Sequence, residues 1–413
     1  NAMQKYVSAL LIALVATINL CAQPLCQVKM FNLRDGLASN VITGIKQTED
    51  QLMWFTTWSG LASYDGYRFT NYYDMPDKQQ RVLTTNRLMD LNSSITGNIW
   101  CATYDQNPFL FDRTQGRYID IMALIKEYYG VSFNCNGAIS LKNGHTWLLS
   151  VNEGYMARID DRNYQAKEGI QLYRQGEGIL QGKTFNWIYE DQEGEEWIVT
   201  HQGFIRLKDG WASPLPYLYI TQIGHNIFMA TKDGHVGCFD KTNNRLSPIA
   251  LPAGINRVGV LKNLDDKVMA ITTNQGLILY DTNSRKPHLV ELPHEAKIVE
   301  NSRSLYCDRH NNLWMIYGNG SHLLKIKVSG SNNSVTYYSL ADRMPAMSQS
   351  NQTLFHEDEE GTLWAATSNG FFGYYDQEQD EMHPYPLRTE ESAPYIDRWM
   401  IDRQGNLWFS NNH

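Results

Sequence analysis

"EDQEGEEWIVTHQGFIRLKDG", residues 190–210, carries the pattern that decides the fold. An acidic turn, Asp191-x-x-Gly194, leads into an apolar run around Trp197. Thr200-x-x-Gly203 then turns the chain into a second apolar run, Phe204-Ile205, which ends before Asp209-Gly210. Short apolar runs bounded by Asp and Gly read as antiparallel strands joined by tight turns. "EDEEGTLWAATSNGFFGYYD", residues 357–376, repeats the pattern, and so does "MWFTTWSGLASYDG", residues 53–66. The common form is D-x-x-G-x-x-W-x-x-T-x-x-G-[LF]-x-x-x-D, within one residue.

Weaker copies fill the gaps. The Trp position is held by Trp54, Trp100, Trp147, Trp197, Phe228, Met269, Trp314, Trp364 and Trp408, at steps of 46, 47, 50, 31, 41, 45, 50 and 44 residues. This is the period of a propeller blade of four strands. In the first unit, strand A starts near Val41, "LMWFTT" is strand B, "SGLASYD" turns into strand C, and "YRFTNYY" is strand D. Gly60, Gly203, Gly276 and Gly370 supply the backbone freedom of the B–C turn. Asp191-x-x-Gly194, Asp358-x-x-Gly361 and Asp402-x-x-Gly405 supply the A–B turn. A four-stranded sheet cannot bury both faces alone, so blades stack radially and each Trp fills the wedge between neighbours. Each ring then buries on the order of 150–250 Å², roughly 4–6 kcal/mol at about 25 cal/mol per Å².

The predicted fold is all-β: a seven-bladed β-propeller of four-stranded antiparallel blades over residues 28–340, followed at 341–413 by the first blades of a second, incomplete propeller. Chain length agrees, because 413 residues exceed what one ordinary core supports. The one helical pattern is "IMALIKEYYG", residues 121–130, a short insertion between strands. A net charge of -8 argues against a nucleic-acid partner. Cys101, Cys135, Cys238 and Cys307 are widely spaced without a CxxC pair, and read as buried free thiols.

The N-terminus carries an address. Asn1-Ala2 reads as the scar of a tag, and residues 3–22 as a signal peptide: Lys5, an apolar run from Val7 to Ile18, and small residues near the cleavage site after Ala22. Lipidation at Cys21 is the competing reading, with Asn19-Leu20 a poor approach to it. The mature protein is therefore expected to be exported.

Motifs for chemistry are sparse. The Asp-x-x-Gly turns lack the carboxylate spacing of a calcium loop. "GEGILQGKT", residues 176–184, misses a phosphate loop because Glu177 stands where its first Gly is needed. The 11 His form no HExxH pair, and no G-x-S-x-G elbow is present. No catalytic residue, metal or cofactor is assigned. An enzyme stays open as the alternative, a propeller-fold polysaccharide lyase or glycosidase, because carboxylates can pair between blades.

Chain alternation puts the B–C turns and the D–A connections on one face and the A–B and C–D turns on the other. The first face collects Trp58, Tyr104, His201 and Tyr317 from the B–C turns and Arg87, Arg257 and Arg303 from the D–A connections. Asn40, Asn86, Asn134, Asn256, Asn301 and Asn351 stand 13 or 14 residues before their Trp positions, as ligand contacts or as caps of the inner strand. Aromatic, guanidinium and amide groups together suit a sugar ring, by stacking on its apolar side and hydrogen bonding its hydroxyls. These seven turn and connection residues are the candidate ligand-binding set, with an oligosaccharide as the ligand.

"RDGLASNVITGIKQTEDQLMWFTTWSGLASYDGYRF", residues 34–69, resembles the regulator propeller repeat, through Asp35-Gly36-Leu37, Ser39-Asn40, Trp54, Thr57, Gly60-Leu61 and Tyr64-Asp65-Gly66. That repeat builds the periplasmic sensor region of hybrid two-component systems, histidine kinase with response regulator, in Bacteroidetes. The resemblance covers nearly all of the chain from Val28 to Trp408, and is specific in units 1, 4, 8 and 9. It implies a non-catalytic sensor of polysaccharide breakdown products that signals to a cytoplasmic histidine kinase. It also implies a homodimer in the full-length protein, two seven-bladed propellers, a β-sandwich and a membrane anchor. The ninth unit stops at "LWFSNNH", so on this reading the sequence is a fragment and the anchor and kinase lie in segments it lacks.

Overall fold

A computed structural model describes residues 29, 31–74, 82–135, 137–290, 304–310, 312–317, 322–327, 334–339, 353–368, 370–385 and 396–411. The expected signal peptide, residues 3–22, lies outside them. Among the described residues nine antiparallel sheets follow one another, and in each the strands pair in chain order. The protein is an all-β propeller. In blade 1 strand A is Ile42–Gln47, B is Met53–Thr57, C is Gly60–Tyr64 and D is Phe69–Tyr72, as the sequence pattern implies. Seven sheets have four strands; the fourth has three, between Phe185 and Arg206, and the ninth has two, Ile396–Ile401 and Leu407–Asn411.

The Trp of strand B is the wedge between blades. Trp54, Trp100, Trp147, Trp197 and Trp314 are at most 1% exposed. Trp54 packs on Leu88, Ile99 and Phe109 of blade 2. Trp197 packs on Ile227 and Phe239 of blade 5. Phe228 does the same between blades 5 and 6 with a smaller ring, but Met269, expected at the Trp position of blade 6, lies in that same cluster, and Ala270 is the residue that packs with Leu313 and Met315 of blade 7. The helical pattern forms α1, Ile121–Tyr129. The Asp120 side chain caps it by accepting from Ala123 N, and Gly130 ends it at φ 70°. Its Ile121, Met122 and Ile125 enter the core between blades 2 and 3.

The B–C turn is built as expected. The Thr200 hydroxyl donates to Gly203 O at 2.7 Å and accepts from Gln202 N at 3.1 Å; Thr57 and Thr273 do the same in blades 1 and 6. Gly203 stands at φ 118°, and a Cβ there would lie 2.1 Å from Ser213 Oγ.

Blade order around the ring differs from the expectation of closure after the seventh unit. The boundary at 340–341 lies outside the described residues, but the described contacts run on past it. Trp314 of blade 7 packs on Leu363, Ala365 and Phe371 of blade 8. Trp364 packs against Leu407 and Phe409 of blade 9. Met400 and Trp408 of blade 9 pack on Met53, Phe55 and Tyr64 of blade 1. The junction of blades 9 and 1 uses the same hydrogen bond as others: Gln47 Oε1 accepts from Arg403 N at 2.8 Å, as Glu357 Oε2 accepts from Arg309 N at 2.8 Å between blades 8 and 7. Every blade offers its neighbour the same edge, so the repeat period is silent about which blade meets the first. The free thiols are as expected at Cys101 and Cys135, both buried, while Cys238 and Cys307 are free and half-buried.

Candidate ligand-binding face

The two faces of the propeller do different work. On the A–B face the turn carboxylates lock blades together. Asp191 Oδ1 accepts from Glu193 N and Glu195 N, and its Oδ2 accepts from the Trp197 indole N–H at 3.1 Å. Asp308, Asp358 and Asp402 hold Trp314, Trp364 and Trp408 in the same way, at 2.8, 2.8 and 2.7 Å. The Asp of each Asp-x-x-Gly turn and the Trp six residues on are thus one buried unit.

Where the turn loses its carboxylate, a neighbour replaces it. Leu141 occupies the acidic position of blade 3, and the Trp147 indole donates instead to Glu196 of blade 4 at 2.7 Å. Ser94 occupies it in blade 2, and the Trp100 N–H stands close to Asp161 of blade 3, short of a closed hydrogen bond. Cations complete these locks. Arg158, Arg206 and Lys325 lie cross-strand from Trp147, Trp197 and Trp314. They reach Glu196, Asn244 and Asp380 of the following blades at 2.7 Å each. The strand-A ends also reach across: the Glu190 carboxylate caps the preceding turn at Lys142 N and Asn143 N. The polar groups of this face are engaged in holding the ring.

The other face joins each B–C turn to the connection that leads into its own blade. Trp58 N donates to Val41 O, Tyr104 N to Arg87 O, His201 N to Thr184 O and Asn274 N to Arg257 O, at 3.3, 2.8, 2.9 and 3.2 Å. This is the pairing of turns and connections expected from chain alternation. The side chains stay outward: Trp58 is 42% exposed and Tyr104 59%. The Arg87 guanidinium lies over the Trp58 ring at 5.1 Å, bridging blades 1 and 2, a stack that orders both groups. Beside Arg87, Asn86 Oδ1 is buried and has no hydrogen-bond partner among the described residues. Asp105, next to Tyr104, accepts from the Thr84 hydroxyl at 2.8 Å. Burial works to raise its pKa, but the Thr103 and Thr84 hydroxyls outweigh that and hold it below the usual carboxylate range.

Of the candidate set, Trp58, Arg87 and Tyr104 come together. His201 and Arg257 are exposed on the same face, farther round the ring on blades 4 and 6. Arg303 lies outside the described residues. Tyr317 ends strand B of blade 7, Asn312–Tyr317, and its side chain lies outside them too. The Asn series has no common role: Asn40 Oδ1 accepts from Leu33 N, Asn256 donates its backbone N–H to Asn274 Oδ1, and Asn86 Oδ1 is unpaired.

Sequence reasoning missed Trp187. It follows a bulge at the start of the blade 4 inner strand, where the register shifts between Phe185 and Trp187, and it is 56% exposed. It borders a cavity of about 380 Å³ lined also by Asn186, Tyr189, Tyr219, Val260 and Leu261, from the inner strands of blades 4, 5 and 6. The signal was in the repeat. Ten residues before the Trp position, blades 1 and 3 have Gly44 and Gly137, and blade 4 has an indole.

No protein-family model matches this chain, and no curated protein sequence is similar to it. Among solved structures it is similar to the extracellular domain of the hybrid two component system BT3049 from B. thetaiotaomicron. The identity is 17%, over 93% of this chain and 57% of that one, with a TM-score of 0.38. The extracellular domain of BT4673 from the same organism gives 14% identity over 94% and 57%, again with a TM-score of 0.38. The chain thus spans little more than half the length of these domains. Dihydro-heme d1 dehydrogenase NirN gives 11% identity over 88% of this chain and 77% of that one, with a TM-score of 0.50, a likeness of fold alone. Among the described residues no helix is long and apolar enough to cross a membrane.

Proposed function

We propose that this chain is the periplasmic ligand-sensing region of a hybrid two-component sensor, and that it binds an oligosaccharide on the face made by the B–C turns and D–A connections. The observation that carries the reading is the Trp58–Arg87 stack with the exposed Tyr104 beside it. An aromatic face takes the apolar side of a sugar ring, while the guanidinium and phenol address its hydroxyls. The opposite face supports the choice by its use, since its carboxylates are bonded to indoles and turn amides. The region itself is non-catalytic and passes the signal to a histidine kinase in the full-length protein, which acts as a homodimer. Calorimetry against a panel of oligosaccharides tests this. The expected result is saturable binding of at least one, weakened tenfold or more by Trp58→Ala, about 1.4 kcal/mol. Binding that Trp58→Ala and Arg87→Ala leave unchanged, or turnover abolished by one carboxylate substitution, refutes it.

A further inference from the structure

We infer that the cavity at Trp187 is a subsite for one neutral pyranose ring, seated with its apolar face on the indole; this rests on the oligosaccharide reading and adds a place and a charge class to it.

Position is the first argument. The cavity lies along the inner strands of blades 4, 5 and 6, beginning where the D–A connections enter them. Its blade 4 residues follow directly on Thr184, whose carbonyl takes the His201 N–H. Its blade 6 residue Val260 lies three positions beyond Arg257. Two exposed candidate residues, His201 and Arg257, are thus close in the chain or by backbone hydrogen bond to segments that line it.

The second argument is the contrast with blades 1 and 3, which have Gly at the same position of the inner strand. Gly44 and Gly137 are tightly enclosed: a Cβ on Gly44 would lie 2.7 Å from Leu91 Cβ, and one on Gly137 2.5 Å from Asp90 Oδ2. The inner strands close up there. Blade 4 carries its largest side chain at this position and leaves it 56% exposed, although burying an indole is the usual outcome in this protein. An indole left open on an inner strand, over a cavity, is a platform.

Chemistry gives the class. About 380 Å³ is near the lower end of small-molecule pockets, of the order of 300–1,000 Å³, which limits the occupant to one or two rings. The lining residues are aliphatic and aromatic, and those with polar side-chain groups are Asn186, Trp187, Tyr189 and Tyr219. Burial raises both phenols, Tyr189 to about 12, so they are neutral donors at physiological pH. No lining side chain is charged, and a carboxylate or sulfate ester taken into such a site lacks a counter-charge and is penalised by desolvation. An amphipathic ring with hydroxyl edges and no charge fits; a uronate does not.

The test uses five probes: maltohexaose, cellohexaose, xylohexaose, mannohexaose and hexagalacturonate. Each is titrated by calorimetry and by intrinsic fluorescence into wild type, Trp187→Phe and Trp187→Ala, with urea midpoints confirming that the exposed substitutions leave the fold intact. The expected result is that a neutral hexasaccharide binds and shifts the tryptophan emission. Trp187→Ala should weaken it tenfold or more, Trp187→Phe less than threefold, and the emission shift should shrink in both, what remains coming from Trp58. If Trp58→Ala weakens binding but Trp187→Ala does not, the subsite is overturned and the oligosaccharide reading stands. If hexagalacturonate is the probe that depends on Trp187, the charge class is wrong. If none of the five binds, both fall.

Discussion

Glu196 locks blade 3 to blade 4, and its removal gives the largest single effect that the ring geometry implies. It is 5% exposed. Its carboxylate accepts from Trp147 Nε1 at 2.7 Å, from Asn143 Nδ2 at 2.8 Å, and from Arg158 Nε and Nη2 at 3.0 and 2.7 Å. Glu196→Ala leaves the indole and amide donors without an acceptor, about 1 kcal/mol each. It also strands Arg158, whose side chain is only 19% exposed; breaking a buried pair from one side costs about 3–5 kcal/mol. Water entry offsets part of the sum, so the net cost is about 4–6 kcal/mol. Glu196→Gln keeps the shape and one acceptor and should cost roughly half. Equilibrium urea unfolding measures both, read as the midpoint at unchanged slope. The double variant Glu196→Ala with Arg158→Met should be less destabilised than Glu196→Ala alone, because it removes the stranded charge. A cost below about 1 kcal/mol for Glu196→Ala, or a double variant equal to the sum of its singles, refutes the lock.

Two buried carboxylates move stability with pH in opposite directions. For Glu196, burial works to raise the pKa, but the Arg158 hydrogen bond and charge hold it below its ordinary 4.5, so its contribution is present above pH 4.5 and lost as pH falls through the folded-state value. Asp161 is 3% exposed and accepts from the Thr146 hydroxyl at 2.7 Å; burial raises it from 3.8 to about 6. Below pH 3.8 it is protonated folded and unfolded, and between 3.8 and 6 the unfolded chain loses its proton first, so stability falls by about 3 kcal/mol as pH rises across that window. Asp161→Asn should flatten the window and stabilise the protein at pH 7; an unaltered slope in urea midpoints from pH 4 to 6 counts against it. Gly203→Ala should cost about 2–4 kcal/mol through strain at positive φ and the clash with Ser213, and a wild-type midpoint would contradict the turn geometry. Arg87→Ala should weaken oligosaccharide binding tenfold with an unchanged melting temperature; a melting shift without an affinity change would make the Trp58 stack structural.

The blades were legible because a period of 40–50 residues with a Trp in each unit has few other physical solutions. The face was legible too, since antiparallel strands alternate direction and the turns must sort to two ends. The Asp–Trp unit was half visible: Asp-x-x-Gly marks the turn, but its second oxygen, bonded six residues on, belongs to tertiary structure. Glu196 and Asp161 were invisible, because each substitutes for a residue missing from another blade, and no pattern within one repeat records that. Trp187 stood in view as an indole where blades 1 and 3 have glycine. It passed unread because an extra aromatic in an aromatic-rich strand gives no sign of exposure until the bulge and the neighbouring strands are placed. Ring order was silent in the sequence for the reason that makes repeats work, since each edge fits every other.

A crystal structure of the protein bound to its highest-affinity hexasaccharide tests the central claim most directly. The account predicts sugar density on the B–C turn face, with a ring on Trp187 and further residues extending toward Trp58, Arg87 and Tyr104. Density among the Asp-x-x-Gly turns of the opposite face would contradict it.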